Sequence, residues 1–322
     1  IRHSIITEGE VIAKAMNKFP LPKIEKFIQE VFWRTYWKGW LELRPKVWTD
    51  YQELIEKNDI NQEYEKIISL NTGIDCFDSW TQELLETNYL HNHARMWYAS
   101  IWIHTLKLPW SLGANLFLNN LLDGDPASNT LSWRWVAGIQ TKGKSYLAKD
   151  WNIQKFTKNR FEPKESDFSA IPAKVNYIDY KMNSIKFHEA NEFDWGQSGL
   201  LVTSEDMHVL SSNRIDFPLQ NAYILTLTDT EKANYSKNVT NFKQAISLSN
   251  KELLSSHIQN IEMQSMDLDQ IEQITSWAQQ KNIKNIITLA CPCGHVRDFI
   301  NILKNELKKE SINIIKLSLI HI

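Results

Sequence analysis

Apolar residues recur at helical spacing through the first half of the chain and in short unbroken runs through the second. Thr7-Glu8-Gly9-Glu10 has the capping-box pattern, in which the Thr hydroxyl and the Glu carboxylate satisfy each other's orphan amides, so a helix starts there. Ile24, Phe27, Ile28, Val31 and Phe32 fall at helical spacing and predict a second helix from about Pro22 to Leu43, stopped by Pro45. Further helices are expected from Asp78 to Leu90, from His91 to Leu108 ahead of Pro109, and from Leu112 to Leu122. The last of these ends at the Asp123-Gly124-Asp125-Pro126 turn. No alternating strand signal precedes residue 160.

After that the period changes. Residues 161–195 are polar and irregular, with Pro163 and Pro172, and read as a linker. Gly199 to Thr203, Ala222 to Leu227, Ile283 to Leu289 and Ile312 to Leu317 are short apolar runs of the kind found in buried strands. Helical segments fall between them, near 239–248, 268–281 and 296–309. The pattern predicts two domains: an all-α domain over 1–160 and, after the linker, a small α/β domain with a parallel sheet over 196–322.

Composition sharpens this division. Of 13 tryptophans in 322 residues, 11 lie at or before Trp151, so the first half is the unusual one. Residues 1–160 carry 20 Lys and Arg against 18 Asp and Glu, which is not the basic body of a generic nucleic-acid binder. Arg134, Lys142, Lys144, Lys149, Lys155, Lys158 and Arg160 nevertheless face only Asp150, leaving a local basic strip. No apolar run approaches the roughly 18 residues of a membrane span. Three cysteines make no disulfide framework, and a reducing, cytoplasmic setting is expected.

The densest chemistry lies between residues 91 and 135. Asn92, Arg95 and Met96 share a helical face, whereas His91 and His93 do not, which argues against a metal site. Asp123 and Asp125 flank a glycine and can converge on one spot, with an Asp123–Arg95 ion pair at a pocket wall as the favoured reading. Fixed charges among Trp110, Trp133 and Trp135 suit a flat, charged cofactor. On the helix from Pro22, Glu30 and Arg34 lie four apart beside Trp33 and Trp37. They make either a surface ion pair beside a core stripe or a pocket wall where Arg34 meets an anion. Cys291-Pro292-Cys293-Gly294-His295 is best read as a strand-to-helix turn.

These motifs resemble the flavin domain of the photolyase/cryptochrome family. Its Glu-x-x-Trp-Arg helix is matched by Glu30 to Arg34, and its His-Asn-x-x-Arg-Met helix by His91 to Met96. Trp110 follows Met96 by fourteen residues, and Asp-Gly-Asp-x-Ala-x-Asn at Asp123 to Asn129 leads to Trp133-Arg134-Trp135. The resemblance covers about residues 1–155 and implies FAD as cofactor, with an antenna pigment left unidentified. By that resemblance Arg34 binds the flavin diphosphate, and Arg95 pairs with Asp123 near the isoalloxazine. Phe27, Gly124, Asp125 and Asn129 complete the cofactor pocket, with Glu30 and Asn92 also lining it. Glu30, Trp33, Asn92, Met96 and Trp135 are implied to hold a flipped pyrimidine dimer, and Trp133 and Trp110 to relay electrons.

The chain departs from the family at four places. The phosphate-binding Thr-Ser-x-Leu-Ser stretch belongs just upstream of Ile1, so the chain is expected to begin inside the domain. The usual third relay tryptophan, expected between about residues 50 and 70, is missing, with Trp48 or Trp80 as stand-ins. His93 replaces an Arg that contacts DNA, and Phe27 replaces a Trp that packs on the flavin. An α/β segment also follows the helical domain, where the family has one before it. The expected activity is light-driven repair of cyclobutane pyrimidine dimers in DNA by a monomer, without a membrane partner or a metal. The alternative is a cryptochrome-like photoreceptor. A dark flavin redox protein reduced by a nicotinamide cofactor lacks a Gly-rich fingerprint here.

Overall fold

The structure, a computed structural model, describes residues 2–58, 62–184, 195–207, 219–226, 229–230, 233–263 and 269–317. They form two compact units. One takes in residues 37–183 and 235–239, and the other residues 1–36, 184–234 and 240–322.

The first unit is helical. It holds the end of α2 (Leu21–Glu42), then α3 (Lys46–Lys57), α4 (Gln62–Ile68), α5 (Asp75–Thr87), α6 (Asn92–Ser100), α7 (Trp110–Asn120), α8 (Pro126–Val136) and α9 (Asp150–Phe156). No strand lies before residue 198 among the described residues. The helix expected from His91 to Leu108 does not run evenly. Its second part, Ile101–Thr105, widens into a π-helix, with Leu106 N–H bonding Ile101 O at 2.9 Å. That turn carries the buried His104, whose Nδ1 accepts from Ala173 N–H at 3.1 Å, so Nε2 donates to Val136 O at 3.1 Å. Burial lowers the His104 pKa, as a neutral ring bonded at both nitrogens requires. Phe77, Tyr98, Trp102, Phe117, Leu131 and Trp133 make an aromatic-rich core. Tyr98 OH is hydrogen-bonded to Thr81 at 3.1 Å, which satisfies the polar end of a fully buried ring.

The segment expected as a linker differs on its described side. Residues 161–183 cluster with the helical unit, and residues 185–194 lie outside the described residues. The irregular chain is held by side-chain partners: Ser169 N–H donates to Thr105 Oγ1 and Tyr180 OH to Asp50 Oδ2.

The second unit contains a five-stranded sheet, all parallel, in the order β5-β2-β1-β6-β7. Its strands are β1 (Ser198–Thr203), β2 (Asn221–Leu225), β5 (Asn260–Met263), β6 (Asn285–Leu289) and β7 (Asn313–Leu317). β3 (Asp229–Thr230) and β4 (Ala233–Asn234) form a separate antiparallel pair. The edge strand β5 was not expected, because Asn260 to Met263 is only part-buried and lacks an apolar run. Strand alternation sends Leu200 and Val202 to one face with Ile246 and Leu254 of α10 (Lys237–Leu254). Leu201 points to the other face, among Ile274 of α11 (Gln270–Gln280) and Ile300 and Leu303 of α12 (His295–Lys309). A Cβ on Gly199 would lie 2.7 Å from both Ile283 Cδ1 and Trp277 Cη2, so glycine lets β1 sit against α11. Cys291 to Gly294 turns β6 into α12, with Gly294 at φ 153°. Burial pushes the Cys291 thiol up to about 12, so it stays protonated.

Residues 2–36, expected within the helical domain, cluster with this sheet-containing unit. α1 (Glu8–Met16) begins with the Thr7–Glu10 capping box. Ahead of it, Arg2 grips Glu205 through two bonds of 2.6 and 2.8 Å just past the end of β1. His3 Nδ1 donates to Ser204 O at 2.6 Å, and Met207 N–H donates to His3 O at 3.0 Å. Burial, with the charges of Arg2 and Lys243 beside it, lowers the His3 pKa to about 3. An unfolded histidine titrates at about 6.5. Between those values the unfolded chain binds the extra proton, so stability falls as pH drops from about 6.5 toward about 3. The expected slope from this residue reaches about 1.4 kcal/mol per pH unit. His3→Gln should flatten it in urea melts followed across that window, and an unchanged slope would remove His3 as the cause.

Candidate cofactor site

In the helical unit the site residues come from α6 and from the turn between α7 and α8. His91 caps α6, its Nδ1 accepting from His93 N–H at 3.3 Å. This puts Asn92 at the first helical position, exposed, with Met96 one turn later and half-buried. Arg95 Nε donates to Leu90 O at 2.8 Å, which aims the guanidinium at the α7–α8 turn. There Nη1 donates to Asp123 Oδ2 at 3.1 Å, and Nη2 lies 3.1 Å from Oδ1 off the hydrogen-bond direction. The two-pronged contact suits a planar guanidinium.

Asp125 has its own partners instead of converging with Asp123. Its Oδ1 accepts from Ser128 N–H at 2.9 Å and so caps α8, with Pro126 at the first helical position. Its Oδ2 lies 3.5 Å from Lys38 Nζ, and the carboxylate is almost wholly buried. Gly124 is required by packing: a Cβ there would lie 2.9 Å from Leu118 O and 3.0 Å from Leu121 O. Asn129, buried on α8, donates its amide N–H to Ala114 O at 2.7 Å. Buried polar atoms usually find a partner. Here Asn119 Oδ1, Ser128 Oγ and Thr130 Oγ1 have none among the described residues. Orphaned polar atoms, among them Ser128 Oγ on the residue whose N–H donates to Asp125, fit a helical unit that holds a polar cofactor.

The tryptophans divide into separate stacks. Trp133 meets Trp102 and Phe117 edge-on, with ring centroids 6.0 and 5.1 Å apart. Gly113 permits this, since a Cβ there would fall 2.3 Å from Trp133 Cη2. Trp110 stacks on Tyr51 at 5.6 Å, and Tyr51 in turn contacts Trp48 at 5.4 Å. Tyr51 is fully buried, and burial pushes its phenol pKa up. Trp135 stacks on Tyr146 at 5.7 Å. Trp80, the other stand-in for a third relay position, belongs to a different stack with Trp97. Arg134 is structural: it is buried, donates to Ile139 O and Gln140 Oε1, and stands over the Tyr180 ring.

Phe27, Glu30, Trp33 and Arg34 lie on α2 in the sheet-containing unit. Phe27 and Trp33 are each 46% exposed, and Trp33 meets Tyr36 edge-on at 5.3 Å. Glu30 is exposed and Arg34 half-buried.

Against this geometry, the family model for the FAD binding domain of DNA photolyase matches residues 27–166. This stretch is a photolyase-type FAD-binding domain. The deoxyribodipyrimidine photo-lyase of Streptomyces griseus is 34% identical over 139 residues, covering 42% of this chain and 30% of that protein. The Agrobacterium fabrum enzyme of the same name is 33% identical over 119 residues, 36% of this chain and 25% of that protein. The mitochondrial Saccharomyces cerevisiae enzyme is 29% identical over 144 residues, with 43% and 25% covered. The chain thus spans between a quarter and about a third of the length of these curated relatives. No solved structure gives a significant match. No described helix is long and apolar enough to cross a membrane.

Sequence reasoning missed Lys38, Gly113 and Tyr51 in this photolyase-type domain. Lys38 lies four residues after Arg34, a helical spacing that could have marked it. Nothing local marks the other two, because their partners are far along the chain. Gly113→Ala should destabilise the domain by about 1–3 kcal/mol through overpacking on Trp133, read by thermal melting and flavin retention. Asp125→Ala should cost at least about 1 kcal/mol, since it removes the α8 cap and the buried charge beside Lys38. A melting curve unchanged from wild type would show that neither contact matters.

Proposed function

We propose that the protein binds FAD through its photolyase-type domain and repairs cyclobutane pyrimidine dimers in DNA under blue light, as the names of its relatives suggest. The observation that carries this reading is the pairing of Asp123 with Arg95, which lies on the α6 face that also bears Asn92 and Met96. FAD, when bound and reduced, supplies the excited electron that splits the dimer's cyclobutane ring. The protein's part is binding, orientation and electrostatics.

In this reading the Arg34 guanidinium holds the diphosphate, where its planar fork donates two bonds at once. Arg95, Asp123 and Asp125 set the charge around the ring system, with Asn129 presenting its amide and Gly124 allowing close approach. Phe27 packs on the cofactor. Glu30 and Asn92 hydrogen-bond the flipped pyrimidine pair, while Met96, Trp33 and Trp135 supply its apolar slot. Trp133 and Trp110 carry electrons inward, and the stack of Trp110 on Tyr51 and Trp48 supports a continuation along α3. Thiols at Cys76, Cys291 and Cys293 suit a cytoplasmic setting.

A photoreceptor that does not repair is the second reading. It is favoured by His93, which stands where the resemblance implies a DNA-contacting arginine.

One illumination experiment separates the two. Flavin-loaded, reduced protein should clear dimers from an oligonucleotide under blue light. Asn92→Ala should slow clearance about tenfold, by loss of one substrate hydrogen bond, with the flavin absorption unchanged. Flavin-loaded wild-type protein that leaves every dimer intact would exclude repair and leave the photoreceptor reading.

A further inference from the structure

Outside the cofactor site, the helical unit has a pocket of about 210 Å³ between α5, the N-terminal end of α6, and α9. Its floor is the stacked pair Trp80 and Trp97, with ring centroids 5.5 Å apart and 25° between planes. Both indoles are almost wholly buried, and Trp97 Nε1–H is given to Asn152 Oδ1 at 2.9 Å, so the open ring face at the pocket is that of Phe156. His93 leans on both Trp97 and Phe156, at 5.6 and 5.0 Å. Phe161 closes the far side, edge-on to Trp80.

The rim is cationic. Lys155 Nζ stands 5.5 Å from the Phe156 ring centre, and the Arg160 guanidinium stands 4.8 Å from that of Phe161. The one carboxylate lining the pocket, Glu83, lies 3.8 Å from Arg160 Nη1. Phe156 is 52% exposed, so half of its ring is open beside the pocket.

We propose that this pocket takes one unstacked nucleobase from a single-stranded stretch of DNA, while Lys155, Lys158 and Arg160 meet the neighbouring phosphates. The inference rests on the reading of DNA as the partner and deepens it: the base held here is a normal one, outside the dimer. Aromatic faces with cations along one edge are what single strands require, because every base has a π-face and every nucleotide a negative charge. A quaternary ammonium would also seek aromatic rings. Here each outer ring already carries a cation, and Glu83 is engaged, so a cationic ligand would meet like charge.

The test uses lesion-free single-stranded oligonucleotides carrying 2-aminopurine, and the same strands with an abasic position. The protein should quench 2-aminopurine fluorescence, and an abasic position should weaken binding about tenfold. Phe156→Ala should abolish the quenching and bind both strands alike. Arg160→Ala should weaken binding and lower the salt slope by about 0.7, the loss of one phosphate contact. Both side chains are mostly exposed, so neither change threatens the fold, and thermal melting checks this. Asn92→Ala should leave the quenching intact, which separates this pocket from the dimer site. Equal binding of base-bearing and abasic strands by wild type, or quenching that survives Phe156→Ala, would overturn the proposal. Quenching that depends on Phe156 in a protein that repairs nothing would uphold this site and remove the repair reading. Full repair with no Phe156 effect would do the reverse.

Discussion

The three residues Asp123 to Asp125 are the constraint on which the helical unit's chemistry depends. Asp123 draws Arg95 of α6 to the head of α8, and Asp125 caps α8 while burying its charge beside Lys38. Between them Gly124 lets the turn lie against the carbonyls ending α7. A buried carboxylate is tolerable because a backbone amide donates to one oxygen and a cation stands 3.5 Å from the other. The same turn therefore orients the exposed Asn92 and Met96 through Arg95, and the buried Asn129 through the helix it caps.

Aromatic rings fill the space around this turn, and their division into stacks follows from where glycine allows close approach. Gly113 admits the Trp133 ring between α7 and Trp102, so Trp133 is locked edge-on in the core. Trp110, on the same helix, turns instead to Tyr51 and Trp48 of α3. The Trp80–Trp97 stack is separate, and its buried rings line a pocket between α5, α6 and α9. Tryptophan richness in one half of the chain thus serves at least two structural ends.

The sheet-containing unit is organised differently. Its central strands β1, β2 and β6 are buried and alternate their side chains between two helical layers, as parallel sheets require. Strand order reverses between β1 and β6, and the segment Arg2 to Ser4 binds just beyond the end of β1. A buried neutral histidine and a buried Arg–Glu pair hold that segment, contacts that depend on charge state as much as on packing.

Local chemistry determined much of this protein. The Thr7–Glu10 capping box, the stop before Pro109, the Asp-Gly-Asp-Pro turn and the four apolar strand runs each act over a few residues, so each was legible in the chain. The motifs around Glu30, Arg34, Asn92, Arg95, Asp123 and Asn129 likewise carried the family resemblance that implied the cofactor. Only the tertiary structure decided the strand order, the clustering of residues 2–36 with the sheet, the weak edge strand β5, and the π-turn at Ile101 to Thr105. It also decided that Asp125 answers Lys38, that Tyr51 stacks on Trp110, and that Gly113 makes room for Trp133. The physical reason is shared: these outcomes depend on which distant surfaces meet, and periodicity along the chain reports only which face of an element is apolar, not what that face will touch.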